Sequence, residues 1–423
     1  MEWMNKLDRR HFLTTTAAGL ASIGATKGRD LALQSEDDPL GVRTDFPITN
    51  NLRFLATSWI GPMPQVVRDV GVEYVDEKLH WADTRFRLEK KEMTRIAFAS
   101  LFGAKPEEVA LLFATGDAEN IITRGLDLKA GDNVVVDDLH FTASFVLYRQ
   151  LEKDLGIELR IVPQTNGRTR LEDFDAVIDD KTRLVSVAWV SNRNGYRHDL
   201  AALADLAHAK NALLFTDAVQ AIGTFPANLQ ELGVDFLVAG SYKWLFANFG
   251  VAPFFIREEH LERIPPDRYG HGQVVETLTS DGWSSSHRVG RTRELGYRYM
   301  PTAEKYEHAS LAFNPVAQLN AALGYLSGVG LARIAEHTQG LAHEFWEGAN
   351  KLGFEMFTPR DNASPIVSII HGRDPDQLKQ LLEEESIVVT FREADHTLLR
   401  VAVSLFNNRS DIQQLLKVLE RVA

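Results

Sequence analysis

Between Gly61 and Arg298 the sequence repeats one unit: a short apolar run without in–out alternation, a turn, and a helical stretch. Val109–Phe113, Asn133–Asp137, Glu158–Val162, Arg183–Val190, Ala212–Thr216, Asp235–Ala239 and Val251–Ile256 are the expected strands. A strand that is apolar on both faces must be covered on both. The helices that join parallel strands are what cover it. Leu200–Lys210, with Asp199 in a capping position, and Asp83–Gly103, charged, amphipathic and ended by glycine, are two such helices. The expectation is an α/β fold with a mostly parallel sheet buried between helices. A chain of 423 residues exceeds one compact core. From Pro301 the order indeed changes: two long helices (Lys305–Leu326 and Leu331–Leu352), strands at Ile366–Ile370, Ile387–Phe391 and Leu398–Val403, and a closing helix, Ser410–Arg421. The expected organisation is a leader over 1–39, an arm over 40–65, a large domain over 66–300 and a smaller α+β domain over 301–423.

Within the sixth strand unit, Asp235 to Gly250 reads DFLVAGSYKWLFANFG. Lys243 leaves a buried strand into a loop of aromatics and glycines, with Tyr242 before it and Trp244 after it. Desolvation there would lower the lysine pKa, as a lysine that condenses with a carbonyl requires. Lys243 is therefore expected to hold pyridoxal phosphate as a Schiff base.

Ligands of an open parallel sheet lie at the carboxyl ends of its strands. Asp217-Ala218-Val219-Gln220 follows the strand Ala212–Thr216, and an aspartate there can keep a pyridine nitrogen protonated. Gln220, and Asn192 just past Arg183–Val190, are neutral donors able to reach a phenolic oxygen; singly, each is an ordinary turn residue. Thr115 and Gly116 open the helix after Val109–Phe113, where unpaired N–H groups and the helix dipole suit a phosphate. Phe141, after Asn133–Asp137, can stack on a cofactor ring or simply pack in the core. No G-x-G-x-x-G follows an early strand and no G-x-x-x-x-G-K-[ST] occurs, so neither a dinucleotide site nor a P-loop is supported. The 13 histidines include no H-E-x-x-H spacing, and no metal is expected.

Asn192, Asp217-x-x-Gln220 and Ser241-Tyr242-Lys243-Trp244, in this order and spacing, resemble the class V aminotransferase family of pyridoxal-phosphate enzymes. The similarity runs from about Asn51 to the C-terminus. It implies the aspartate-aminotransferase-like fold (pyridoxal-phosphate fold type I). It makes Lys243 the Schiff-base lysine and Asp217 the pyridinium partner, with Gln220 and Asn192 at the phenolic oxygen. Phe141 takes the stacking position, and Thr115 and Gly116 hold phosphate. Tyr242 stands where many relatives have histidine and would offer a phosphate hydroxyl. Lys305-Tyr306-Glu307-His308-Ala309-Ser310 resembles the segment R-F-E-x-G-T, whose threonine reaches the neighbouring subunit's cofactor. The resemblance thus implies a homodimer with Ser310 at the shared site, although Ala309 departs from the glycine. Leu399-Arg400-Val401-Ala402, followed by Asn407 and Asp411, resembles the strand whose arginine grips the substrate α-carboxylate.

The net charge of −12 argues against nucleic acid, and no run of about 18 apolar residues suits a membrane span. There is no cysteine, so the thiolate that cysteine desulfurases use to take up sulfur is missing. Transamination, epimerisation at the α-carbon of an amino acid, and β-elimination with C–S cleavage stay open, beside a catalytically silent binding protein. The K-W-L-x-x-x-x-G loop and Asp281-Gly282-Trp283 look most like the isopenicillin-N-epimerase-like branch. At the N-terminus, Asp8-Arg9-Arg10-His11-Phe12-Leu13 and the mild apolar stretch Thr14–Ala25 resemble a twin-arginine export signal, without a clean cleavage site; the alternative is a cytoplasmic protein.

Overall fold

The structure is a computed structural model describing residues 38–80, 85–278, 296–392 and 395–423. The arginine pair of the expected leader and Asp281-Gly282-Trp283 lie outside the described residues. In chain order the strands are β1 (Arg53–Phe54), β2 (Val109–Leu112), β3 (Asn133–Asp137), β4 (Glu158–Val162), β5 (Thr182–Ala188), β6 (Leu213–Asp217), β7 (Phe236–Val238) and β8 (Ala252–Ile256). Then come β9 (Val274–Leu278), β10 (Gly296–Tyr299), β11 (Glu355–Met356), β12 (Ile366–Ile370), β13 (Ile387–Val388), β14 (Thr390–Arg392) and β15 (Asp395–Ala402). The helices are α1 (Gln65–His80), α2 (Arg85–Phe102), α3 (Thr115–Gly125), α4 (Thr142–Leu155), α5 (Leu171–Asp175), α6 (Leu200–His208), α7 (Phe313–Val329), α8 (Leu331–Lys351), α9 (Pro375–Glu384) and α10 (Arg409–Glu420).

Seven strands form the large sheet in the order β2-β8-β7-β6-β5-β3-β4. All neighbours from β7 to β4 are parallel, and β8 runs antiparallel to both β7 and β2. The apolar runs are buried on both sides as expected: Val135, Val185, Leu214 and Leu237 enter the core on one face, and Val134, Leu184, Phe215 and Phe236 the core on the other. The apolar faces of α2, α6 and α7 cover the first face, and those of α3 and α4 the second. Asp199 caps α6 through a bond from Ala202 N to its carboxylate at 3.2 Å. A third core lies between the four-stranded sheet β11-β12-β15-β14 and the inner faces of α8, α9 and α10.

The helix expected over Lys305–Leu326 starts later. Ala303–Tyr306 is a 3-10 turn and the α-helix begins at Phe313. Tertiary partners claim the intervening groups. The buried Glu307 carboxylate pairs with Arg95 at 2.9 Å and Lys91 at 2.6 Å and accepts from Leu111 N at 2.9 Å; the Tyr306 hydroxyl donates to Ile264 O at 2.8 Å. These bonds outweigh what a continuous helix would gain from propensity. The expected strand Ile387–Phe391 is likewise divided between β13, which pairs with β1, and β14, which pairs with β15.

Candidate active site

The antiparallel turn of β8 decides where Lys243 sits. A chain that returns beside β7 needs no crossover helix, so Ala239–Val251 is a compact loop between adjacent strands. Ser241 ties it: its hydroxyl lies 2.6 Å from Asn248 O and 2.8 Å from Val251 O, and Ala247 N donates to Ser241 O at 3.0 Å. Tyr242 stacks on Phe249 at 4.1 Å, and Trp244 Nε1 donates to Gln220 Oε1 at 2.8 Å.

Gly61 closes the loop from outside. Its N–H donates to Tyr242 O at 2.9 Å, and a Cβ built on Gly61 would stand 1.8 Å from Lys243 O. Even one methyl group must push the two main chains apart. Gly61→Ala is expected to cost roughly 1–3 kcal/mol, as overpacking does, and to displace the lysine. Thermal unfolding and cofactor content of the variant check this, and an unchanged pair would show that the loop yields freely.

Lys243 is 8% exposed, with Nζ 5.5 Å from the Tyr242 ring centroid and 6.0 Å from that of Phe141. Burial pushes its pKa down to about 8; Asp217 opposes this, and Arg400 and Arg392 add to it. Thr115, Phe141, Asn192, Asp217, Gln220, Tyr242 and Lys243 line one cavity of ≈ 340 Å³, part of it open to solvent. They arrive from the ends of β2, β3, β5, β6 and β7, so the sheet itself brings them together.

Asp217 ends β6, with Oδ1 accepting from Val219 N at 2.9 Å. Gln220 is committed on two sides: Nε2 donates to Ser58 O at 2.8 Å while Oε1 takes the Trp244 proton, leaving a single amide N–H as donor to a ligand. Asn192 Oδ1 is buried without a hydrogen-bond partner. So is Nε of Arg400, whose Nη1 donates to the Asn192 carbonyl. Arg400 is 3% exposed on β15, and burial, then the nearby Arg392, lower its pKa to about 9.

Thr115 and Gly116 form the first turn of α3. A Cβ on Gly116 would meet no atom within 4 Å, so packing within the chain does not demand glycine there. The acid of that turn, Asp117, is neutralised by Arg268 at 2.7 Å. Ser310 is exposed on the segment before α7 and does not line this cavity. The sequence reading missed the Gly61 seal and Arg392. It also missed His140, Ser186 and Glu119, buried polar groups behind Phe141. An acid at position 119 beside Ala118, Ile121 and Ile122, on the buried face of α3, was the legible sign of the last.

An amine of lowered pKa is useful against an electrophilic carbon. The surroundings suit a flat, anionic molecule with a basic nitrogen: Asp217 for the nitrogen, Phe141 for the plane and the α3 N-terminus for the anion. A buried Asn192 Oδ1 left unpaired at the cavity, and a glycine that leaves room at the helix start, fit pyridoxal 5'-phosphate. With the sheet order, these features place the molecule among the α/β enzymes of pyridoxal-phosphate fold type I.

One level finer, the Aminotransferase class-V family matches residues 71–415, and the chain belongs to it. The chain is 26% identical over 379 residues to the uncharacterized aminotransferase YcbU of Bacillus subtilis (strain 168), covering 89% of this chain and 95% of that protein. The apo cysteine desulfurase of Thermococcus onnurineus NA1 superposes with a TM-score of 0.79 at 24% identity, over 92% of this chain and 99% of that one. The cystine C–S lyase C-DES, in complex with its product cysteine persulfide, gives 0.78 at 20% identity, over 89% and 99%.

The lysine pKa has a direct readout. Capture of pyridoxal phosphate by the apoprotein, followed as borohydride-fixed cofactor, should quicken about tenfold per pH unit below pH 8 and level off above it, following the unprotonated amine. A rate still climbing past pH 10 would mean that Lys243 titrates as a free lysine does.

Proposed function

We propose that this is a pyridoxal-phosphate-dependent aminotransferase acting on the α-carbon of an amino acid. Bound cofactor supplies an electron sink that weakens the bonds to Cα. Lys243 Nζ would take the Cα proton and carry it along the same face to the cofactor carbon next to the amine nitrogen, instead of back to Cα. Asp217 holds a proton on the ring nitrogen, and Arg400 grips the α-carboxylate with its planar pair of donors. With Arg392 nearby, the cations around the cavity suit an anionic substrate.

One observation carries transamination over epimerisation. Among the described residues lining the cavity, Lys243, Asp217 and Tyr242 are the titratable groups. Asp217 is engaged at the nitrogen in this scheme, and burial and then Asp217 push the Tyr242 hydroxyl above its ordinary pKa. That leaves Lys243 as the one base; Tyr242 stays protonated and in this scheme offers its hydroxyl to the cofactor phosphate, so the proton moves along one face, whereas inversion needs a second donor on the other. The name of the relative YcbU agrees. Sulfur transfer through a protein thiolate is outside the means of this cysteine-free chain. Retention of Lys243, Asp217 and Arg400 together speaks for catalysis over silent binding.

Incubating the enzyme with a panel of amino acids in deuterated water tests this. A keto acid with an aminated cofactor is the expected product. Deuterated substrate of inverted configuration, or a released side-chain fragment, would replace transamination by epimerisation or elimination.

Two proposals extend the resemblance. Ser310, exposed on its own chain, serves the cavity of a second copy, so sedimentation should give a dimer; a monomer with full activity defeats this. The Arg9-Arg10 segment directs export, so Arg9→Lys/Arg10→Lys should keep the protein in the cytoplasm, and an unchanged location would argue against a leader.

A further inference from the structure

Behind Phe141 runs a chain of buried polar groups that the proposed chemistry does not use. Phe141 N donates to His140 Nδ1 at 2.7 Å, which makes that nitrogen the acceptor and puts the ring proton on Nε2. His140 Nε2 lies 3.0 Å from Ser186 Oγ, so it donates there, and Ser186 passes its own proton to Glu119 Oε1 at 3.3 Å. From the other side, Ser144 Oγ donates to Glu119 Oε2 at 3.0 Å, and Ser144 N donates to Phe141 O at 3.1 Å. Along both side-chain paths the hydrogens point toward Glu119, which is the terminal acceptor.

The arrangement straddles one residue. Glu119 holds the residue before Phe141 through Ser186, and the first turn of α4 after it through Ser144. A carboxyl 6% exposed in an apolar helix face is costly to bury; burial raises its pKa, against the hydrogen bond it accepts from Ser144. An apolar side chain would fill this place more cheaply, so packing alone gives no reason for an acid here. Phe141, by contrast, is 40% exposed at the cavity, with little packing of its own to fix its ring.

We infer that Glu119 is a positioning residue for the bound cofactor: through Ser186, His140 and Ser144 it fixes the main chain of Phe141, and with it the tilt of the ring that lies against the cofactor plane. The inference rests on the pyridoxal-phosphate reading of the cavity. Glu119 does not touch the cofactor and takes no part in proton transfer to substrate.

Glu119→Gln turns one acceptor into a donor facing a hydroxyl, which breaks the direction of the relay while keeping size. In the holoenzyme, borohydride should still fix the cofactor to Lys243. Visible circular dichroism of the bound cofactor should fall, and the affinity of apoprotein for pyridoxal phosphate should drop on the order of tenfold, the loss of one buried hydrogen bond. Ser186→Ala should do the same and Ser186→Thr, which keeps the hydroxyl, should restore it; this pair decides the matter if the Gln variant fails to fold. The discriminating arm is Phe141→Leu: added to that background, Glu119→Gln should change the dichroism little further. Fully additive losses, or unchanged dichroism in both Glu119→Gln and Ser186→Ala, overturn the inference alone. A wild type that binds no pyridoxal phosphate overturns the reading beneath it as well.

Discussion

Lys243→Ala should abolish turnover, with a loss of at least about 10²–10⁴-fold, the range of a positioned acid–base group. Among the described residues lining the cavity, no other group is placed as the base on that face, so none should take the proton instead. The same change removes the amine that fixes the cofactor. Borohydride should then label no lysine, although the α3 N-terminus, Asp217 and Phe141 would still hold pyridoxal phosphate non-covalently. Stability should move the other way. The native pKa of about 8 lies below the unfolded value near 10.5, so burying this amine costs nothing above pH 10.5 and costs most below pH 8. The full shift corresponds to about 3 kcal/mol. Denaturant titration of apoprotein near pH 7 should therefore find the alanine variant no less stable than the parent, with the difference shrinking as pH rises toward 10.5. Labelling at another lysine, or substantial residual turnover, would move the site elsewhere.

Arg400→Ala should raise KM for amino acids by about 10²-fold or more, since two charge-assisted hydrogen bonds at about 1.5–3 kcal/mol each are lost. Cofactor absorbance should survive, because Arg400 reaches the Asn192 carbonyl and lies outside the cavity lining. Arg400→Lys keeps charge but loses the two-pronged geometry, and should recover only part of the affinity. Absorbance lost together with substrate affinity would mean that the Arg400–Asn192 contact holds the site together and that substrate binding lies with another group.

The positions of most site residues were legible because strand ends are legible. An apolar run fixes where Asp217, Asn192, Phe141 and Lys243 emerge, and a parallel sheet gathers all those ends at one edge. Strand direction is not written in composition, so the return of Val251–Ile256 beside Phe236–Val238 had to come from the structure. The delayed start of α7 was hidden for a related reason: Lys305–Leu326 looks helical locally, and the partners of Glu307 stand at Arg95 and Lys91, some two hundred residues earlier. Arg392 and Gly61 were silent because neither belongs to a motif; each matters through a neighbour remote in sequence. For Ser310 the sequence supplied a role that one chain alone does not fulfil.

The stretch from Arg53 to Gly61 has a mechanical consequence. At one end Leu55 N donates to Val388 O and Ala402 N to Leu55 O, both at 2.8 Å, two residues from Arg400. Midway Ser58 O receives Gln220, and at the far end Gly61 grips the carbonyl before Lys243. The segment is a drawbar between Arg400, the proposed carboxylate grip, and Lys243, the proposed working amine. Its length gauges the gap between them. Side chains along Ala56–Ile60 should accept conservative exchange better than the chain accepts one residue more or less. An insertion there would leave both ends folded and put the two halves of the site out of step, which separate assays of cofactor capture and amino-acid affinity would read as two intact functions without turnover.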